Sequence, residues 1–189
     1  IRHPHIGAPQ LVARVTGAHV VNAGDGKHQH PTQALLDLYT IEEELGGIEG
    51  LHVAIVGDVL HSRVARSNIQ ALILLGARVT LVGPPPLIPR GIEEMGCETT
   101  TDIDAIGAAD VVYVLRMQQE RMKSAFVPSL REYTARWGVT PERVRPWMDD
   151  VAEHVLVLQI EHPLGGGMDL REVAARRVQD ALGFPGRSG

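Results

Sequence analysis

The sequence has a single cysteine in 189 residues, Cys97. A lone thiol permits no internal disulfide, so a reducing compartment, the cytoplasm, is the expected location. No apolar run approaches the ~18 residues of a membrane-spanning helix and no signal peptide is visible, so no membrane is expected as a partner. Basic runs are also lacking. Lys and Arg number 18 against 23 Asp and Glu, for a formal net charge of −5. That balance disfavours nucleic acid, yet it leaves room for an anionic small molecule held by a few local Arg and His. His3, His5, His28 and His30 have no Cys or acidic cluster at zinc-site spacing, and no metal is expected. A dinucleotide loop would need G-x-G-x-x-G, and GDVLHSRVARS (57–67) supplies only Gly57. The chain opens IRHPHIGAPQ, without Met, as expected of a piece of something longer.

From residue 51 the sequence alternates. HVAIVGD (52–58), RVTLVGPPP (78–86), DVVYVLR (110–116) and HVLVLQIEHP (154–163) are apolar runs that predict strands. Between them, ARSNIQALILLG (65–76) predicts a helix stopped at Gly76. IPRGIEEMG (88–96) and DIDAIGAA (102–109) predict short helices. SLREYTARWG (129–138) and TPERVRPWMDD (140–150) predict two more, the latter with Thr140 as N-cap and Pro141 at its first position. The alternation argues for an α/β fold, a parallel sheet covered by helices on both faces. Ligands of such sheets sit beyond the carboxyl ends of the strands, here after Val56, Val82, Leu115 and Ile160. Residues 1–46 form a different piece: a loop, a helix (QLVARVTG), a short strand (HVVNAG) and the helix HPTQALLDLYTIEEELG, 30–46. Residues 165–189 hold GGG and an Arg-rich stretch compatible with a helix.

Four places carry polar residues that the fold alone does not demand. At the mouth of the 30–46 helix, Pro31 suits the first helical position and makes His30 the N-cap, with Gln33 on the same face. The helix N-terminus adds unpaired N–H groups and about half a positive charge. An anionic or carbonyl-bearing ligand fits there; so does a plain N-cap. Arg63 and Arg66 stand near a helix start, where cations oppose the dipole, which suggests an anionic partner for at least one or else a surface ion pair. Arg116 follows a strand directly with Gln118 two residues on, a fork for a carboxylate or a structural Arg paired near Glu120. His162, Pro163 and Leu164, in EHPLGGG at a strand end, either present backbone carbonyls to a ligand amine or form a simple exit turn.

Taken in order, NAGDGKHQHPTQALLDLYTI, VGDVLHSRVARSN and LRMQQERM resemble signature segments of the aspartate carbamoyltransferase catalytic chain, from Arg2 to about Leu164. Thr32 in HPTQ points away from the sister ornithine enzymes, which carry Cys there. The resemblance implies carbamoyl transfer from carbamoyl phosphate to the amine of L-aspartate in pyrimidine biosynthesis, with no metal or organic cofactor. It implies that Arg2 and His30 contact carbamoyl phosphate, His30 at the carbonyl oxygen, and that Gln33 holds the amide nitrogen end. Arg63 would take the α-carboxylate of aspartate, and Arg116 with Gln118 its side-chain carboxylate. Pro163 and Leu164 would face the reacting amines. It further implies a remnant of the carbamoyl phosphate lobe plus inter-lobe helix in 1–46, a Rossmann-like aspartate lobe in 47–164, and a homotrimer with a possible dihydroorotase or regulatory partner. The family's Ser-Thr-Arg-Thr phosphate loop lies upstream of this chain. Residues 165–189 do not match the family's ending, so a truncation or a frame shift near 159–165 is expected. Alternatives are an ornithine-type enzyme, a non-catalytic scaffold for another pyrimidine enzyme, and a generic nucleotide-binding domain.

Overall fold

The computed structural model describes residues 1–115, 129–140, 143, 156–159 and 176–177. The core is a sheet whose central strand is β1 (His52–Val56), buried along its whole length. β2 (Arg78–Val82), β3 (Glu98–Thr100), β4 (Val111–Val114), β5 (Leu156–Gln159) and β6 (Arg176–Arg177) complete the order β3-β2-β1-β4-β5-β6. The first five strands run parallel and β6 is antiparallel to β5. A strand flanked on both sides and covered on both faces must be apolar throughout, which is why HVAIV does not alternate.

Alternate residues of β1 feed two cores. Val53 and Ile55 join Leu81 and Tyr113 with Leu38 and Ile41 of α2 (Pro31–Leu45) and Ile69 and Leu72 of α3 (Arg63–Leu74). Ala54 and Val56 join Val82, Val112, Ile103 and Ile106 on the opposite face. The first core is thus roofed by two α-helices. The second is covered, among the described residues, by a 3₁₀ turn, Ile103–Ala108. His52 anchors that turn: one ring nitrogen lies 2.9 Å from Ala108 O, the other 2.8 Å from Thr80 Oγ1.

Outside the sheet, α1 (Ala8–Thr16) forms as expected, and so does α4 (Leu130–Trp137), capped by Ser129. Several expectations are corrected. HVVNAG forms no strand; among the described residues its Val21 and Ala23 pair only with the backbone of Ile1, too little for a ladder. The segment 88–96 holds a single 3₁₀ turn, Ile92–Met95, because Gly91 and Gly96 leave only four residues between them. DIDAIGAA is likewise 3₁₀, with Gly107 weakening any α-helix. β3 comes from ETT, which has no apolar signature and is recruited by pairing with Thr80–Val82. Arg176 and Arg177 lie in a strand, since pairing with Val157 and Leu156 overrides local helix preference. The helix expected over 140–150 lies mostly outside the described residues.

Candidate functional site

α2 begins as its sequence dictates. Pro31 takes the first position, and the His30 side chain caps the helix: Nδ1 accepts the Gln33 backbone N–H at 3.3 Å, with Thr32 Oγ1 3.2 Å away. This cap settles the tautomer. A nitrogen that accepts a backbone N–H carries no hydrogen, so the ring hydrogen is on Nε2. Burial, then the charges of Arg63 and Arg2, push the His30 pKa down to about 4. His30 is therefore a neutral imidazole with a donor at Nε2, and Arg2 and Arg63 both bear on it. The helix N-terminus and two guanidinium groups make this corner electropositive.

Two segments hold the corner together. Gly24 O accepts the His3 N–H and His3 O accepts the Gly26 N–H, both at 2.9 Å, which sets the exposed Arg2 beside the loop 22–29. That loop is built on Asp25, which is fully buried. Its carboxylate accepts the Gly7 N–H, Asn22 Nδ2 and the Gln29 N–H at 2.9–3.1 Å, with His28 Nδ1 3.0 Å away. Burial raises its pKa, but these hydrogen bonds win and hold it at about 2. The Ser67 hydroxyl of α3 accepts the His30 N–H at 2.8 Å and locks the mouth of α2 to α3.

Arg63 opens α3 and is buried, with Nη1 3.4 Å from Gly26 O and further contacts beyond that bond. The glycines of NAGDGKHQ thus bring the backbone close to Arg63. Arg66 keeps its Nε buried without a hydrogen-bond partner among the described residues. Gln33 donates from Nε2 to Asp37 Oδ1 at 2.9 Å. Asp37 is buried and also receives Asn68 Nδ2 and the Tyr113 hydroxyl, each at 2.8 Å. Burial raises its pKa against the lowering effect of those bonds.

Beyond the carboxyl end of β1, Asp58 and His61 form a buried pair, Nδ1 to Oδ1 2.9 Å. Tyr133 of α4 closes over this turn, since a Cβ on Gly57 would meet its hydroxyl at 3.2 Å. Burial and then the Asp58 charge push Tyr133 up to about 12.

Arg2, His30, Gln33 and Arg63 are thus gathered at one corner, whereas Arg116, Gln118, Pro163 and Leu164 lie outside the described residues. Sequence reading passed over Asp25, Asp37, Asp58 and His61. For Asp25 and Asp58 the signal was an Asp beside Gly in a turn; for Asp37, a lone acid on the apolar side of a helix. Among the described residues no three or more His, Cys, Asp or Glu gather as metal ligands. No described helix is long and apolar enough to cross a membrane.

Residues 1–43 match the carbamoyl-phosphate-binding domain of the aspartate/ornithine carbamoyltransferase family. The aspartate carbamoyltransferase catalytic subunit of Desulfitobacterium hafniense is 46% identical over 183 residues, covering 96% of this chain and 57% of that protein. That of Chlorobium phaeobacteroides is 47% identical over 189 residues, covering all of this chain and 58% of that protein. The latter alignment includes residues 165–189. Among solved structures, aspartate transcarbamoylase from Trypanosoma cruzi in complex with carbamoyl phosphate and aspartate matches with a TM-score of 0.70. It is 30% identical, over 85% of this chain and 54% of that one. The chain spans a little over half the length of these relatives.

Proposed function

For a chain that belongs to the aspartate carbamoyltransferase family, we propose carbamoyl transfer from carbamoyl phosphate to the amine of L-aspartate, giving N-carbamoyl-L-aspartate and phosphate. The observation that carries this reading is the neutral His30, its Nε2–H available at an electropositive helix mouth beside Arg2 and Arg63. The amine attacks the carbonyl carbon; a C–N bond forms and the carbonyl oxygen takes negative charge. The C–O bond to phosphate then breaks and the amine gives up a proton. A neutral donor suits the developing oxyanion, because it stabilises charge without first delivering a proton. Arg2 and the α2 N-terminus neutralise the phosphate. Gln33 takes the carbamoyl NH2, Arg63 the α-carboxylate of aspartate, and Arg116 with Gln118 its side-chain carboxylate. Pro163 and Leu164 offer carbonyls to the amines. Catalysis on this reading is positioning plus electrostatics.

The domain roles follow the same proposal. Residues 1–46 carry the carbamoyl phosphate side and the inter-lobe helix, and residues 47–164 form a Rossmann-like amino-acid side. Residues 165–189 follow as a separate tail. The assembly proposed is a homotrimer, supported by Leu11 and Val15, exposed and one turn apart on α1; light scattering measures it. The reaction is tested by following carbamoyl aspartate formed from carbamoyl phosphate and L-aspartate by the folded protein. Turnover that disappears in Arg116→Ala is expected. A folded protein that transfers to L-ornithine instead, or that binds no carbamoyl phosphate, overturns the proposal.

A further inference from the structure

We propose that Asp37 is a positioning residue that fixes the side-chain amide of Gln33, so that Gln33 presents its carbonyl oxygen and not its NH2 to the carbamoyl group. The inference rests on the functional reading above. Gln33 and Asp37 stand one turn apart on α2, and Gln33 Nε2 donates to Asp37 Oδ1 at 2.9 Å. Two further donors from other elements, Asn68 Nδ2 of α3 and the Tyr113 hydroxyl of β4, converge on Oδ2. A carboxylate only accepts, so every partner must turn a donor toward it. Asn68 does this at a cost: its own Oδ1 is left buried without a partner among the described residues. Gln33 obeys the same demand. Its nitrogen is committed to Asp37, and among the described residues nothing donates to its Oε1, which is the end left for a ligand.

The chemistry of the ligand makes the orientation matter. The carbamoyl nitrogen is a donor and needs an acceptor. A reversed Gln33 would set NH2 against NH2, and an unmatched polar group in a site discriminates strongly. Asp37→Asn replaces an obligate acceptor with a group that can also donate, and so removes the reason for Gln33 to keep its orientation.

The test compares carbamoyl phosphate with acetyl phosphate, which carries a methyl group in place of the NH2, by isothermal titration of the unaltered protein and of Asp37→Asn. The expected result is at least a tenfold loss of carbamoyl phosphate affinity and less than a twofold change for acetyl phosphate. Equal loss of both ligands, or no loss of either, overturns the positioning role while leaving the functional reading standing. Failure of the unaltered protein to bind carbamoyl phosphate removes that reading and this role together. Should Asp37→Asn fail to fold, the unaltered protein still decides. The Gln33 side-chain amide hydrogens should exchange with solvent more slowly than those of the exposed Gln10. Equal exchange rates overturn the proposal.

Discussion

The Arg63 guanidinium fills the space in front of Gly24: a Cβ on that glycine would stand 2.5 Å from Arg63 Cζ. Loop 22–29 and the start of α3 therefore fit together only because residue 24 has no side chain. The packing also aims a charge, since Arg63 is one of the two cations that depress the His30 pKa.

Gly24→Ala should be destabilising twice over. Its φ of +117° strains any side chain, and Arg63 must move away. The strain should cost ~1–3 kcal/mol in urea unfolding. His30 should titrate higher as the cation retreats, an NMR-readable shift. A stable variant with an unchanged His30 would show that the loop has room to spare.

His30 links stability to pH. The folded ring titrates near 4 against 6.5 for the ordinary value, so between these the unfolded chain binds the proton and the folded one does not. The contribution is intact above pH 6.5 and is lost as the pH falls toward 4. In His30→Gln, urea unfolding at pH 7 and at pH 5 should differ less than in the unaltered protein. On the proposed mechanism, His30→Ala should lower kcat roughly 10²–10³-fold, and a full kcat would remove His30 from the reaction.

The α2 grammar was legible because capping is local: His30, Pro31 and the closing Gly46 sit within or beside the element they define. The four apolar strands were legible because a doubly covered parallel strand needs an uninterrupted apolar run. What escaped depends on distant partners. Tyr113 meets Asp37 across 76 residues. Asp25 works only once Gly7 and Gln29 fold onto it. β3 exists because β2 has a free edge, which nothing in ETT announces. In the candidate site, His30, Gln33 and Arg63 stood out by residue type, but the buried acids Asp25 and Asp37 around them did not.

Asp25→Asn should cost ~1.5–3 kcal/mol, as an amide cannot accept all the donors aimed at a buried carboxylate. Its depressed pKa gives stability that is fully present above the ordinary value of 3.8 and lost as the pH falls through about 2. Acid titration of the two proteins should show a steeper loss of structure below pH 4 in the unaltered one.

Cys97 is buried behind the Ile92–Met95 turn, donates to Ile92 O at 3.3 Å, and has its thiol pKa raised by burial. A thiol reagent at pH 7 should label it slowly in the native protein and at once in denaturant. Rapid native labelling would mean that the turn opens without global unfolding.

α2 belongs to two territories at once. Its first turn supplies His30 and Gln33, while Ala34, Leu38 and Ile41 are buried and Asp37 is tied to β4. The polar corner at its mouth is therefore built on a foundation borrowed from the sheet. Backbone amides of residues 34–41 should be among the last to yield to deuterium, together with β1 and β4, while the loop around Asp25 can come undone earlier. Whatever loosens the sheet will erase the corner around His30 with it, but that corner can come and go without the sheet taking notice.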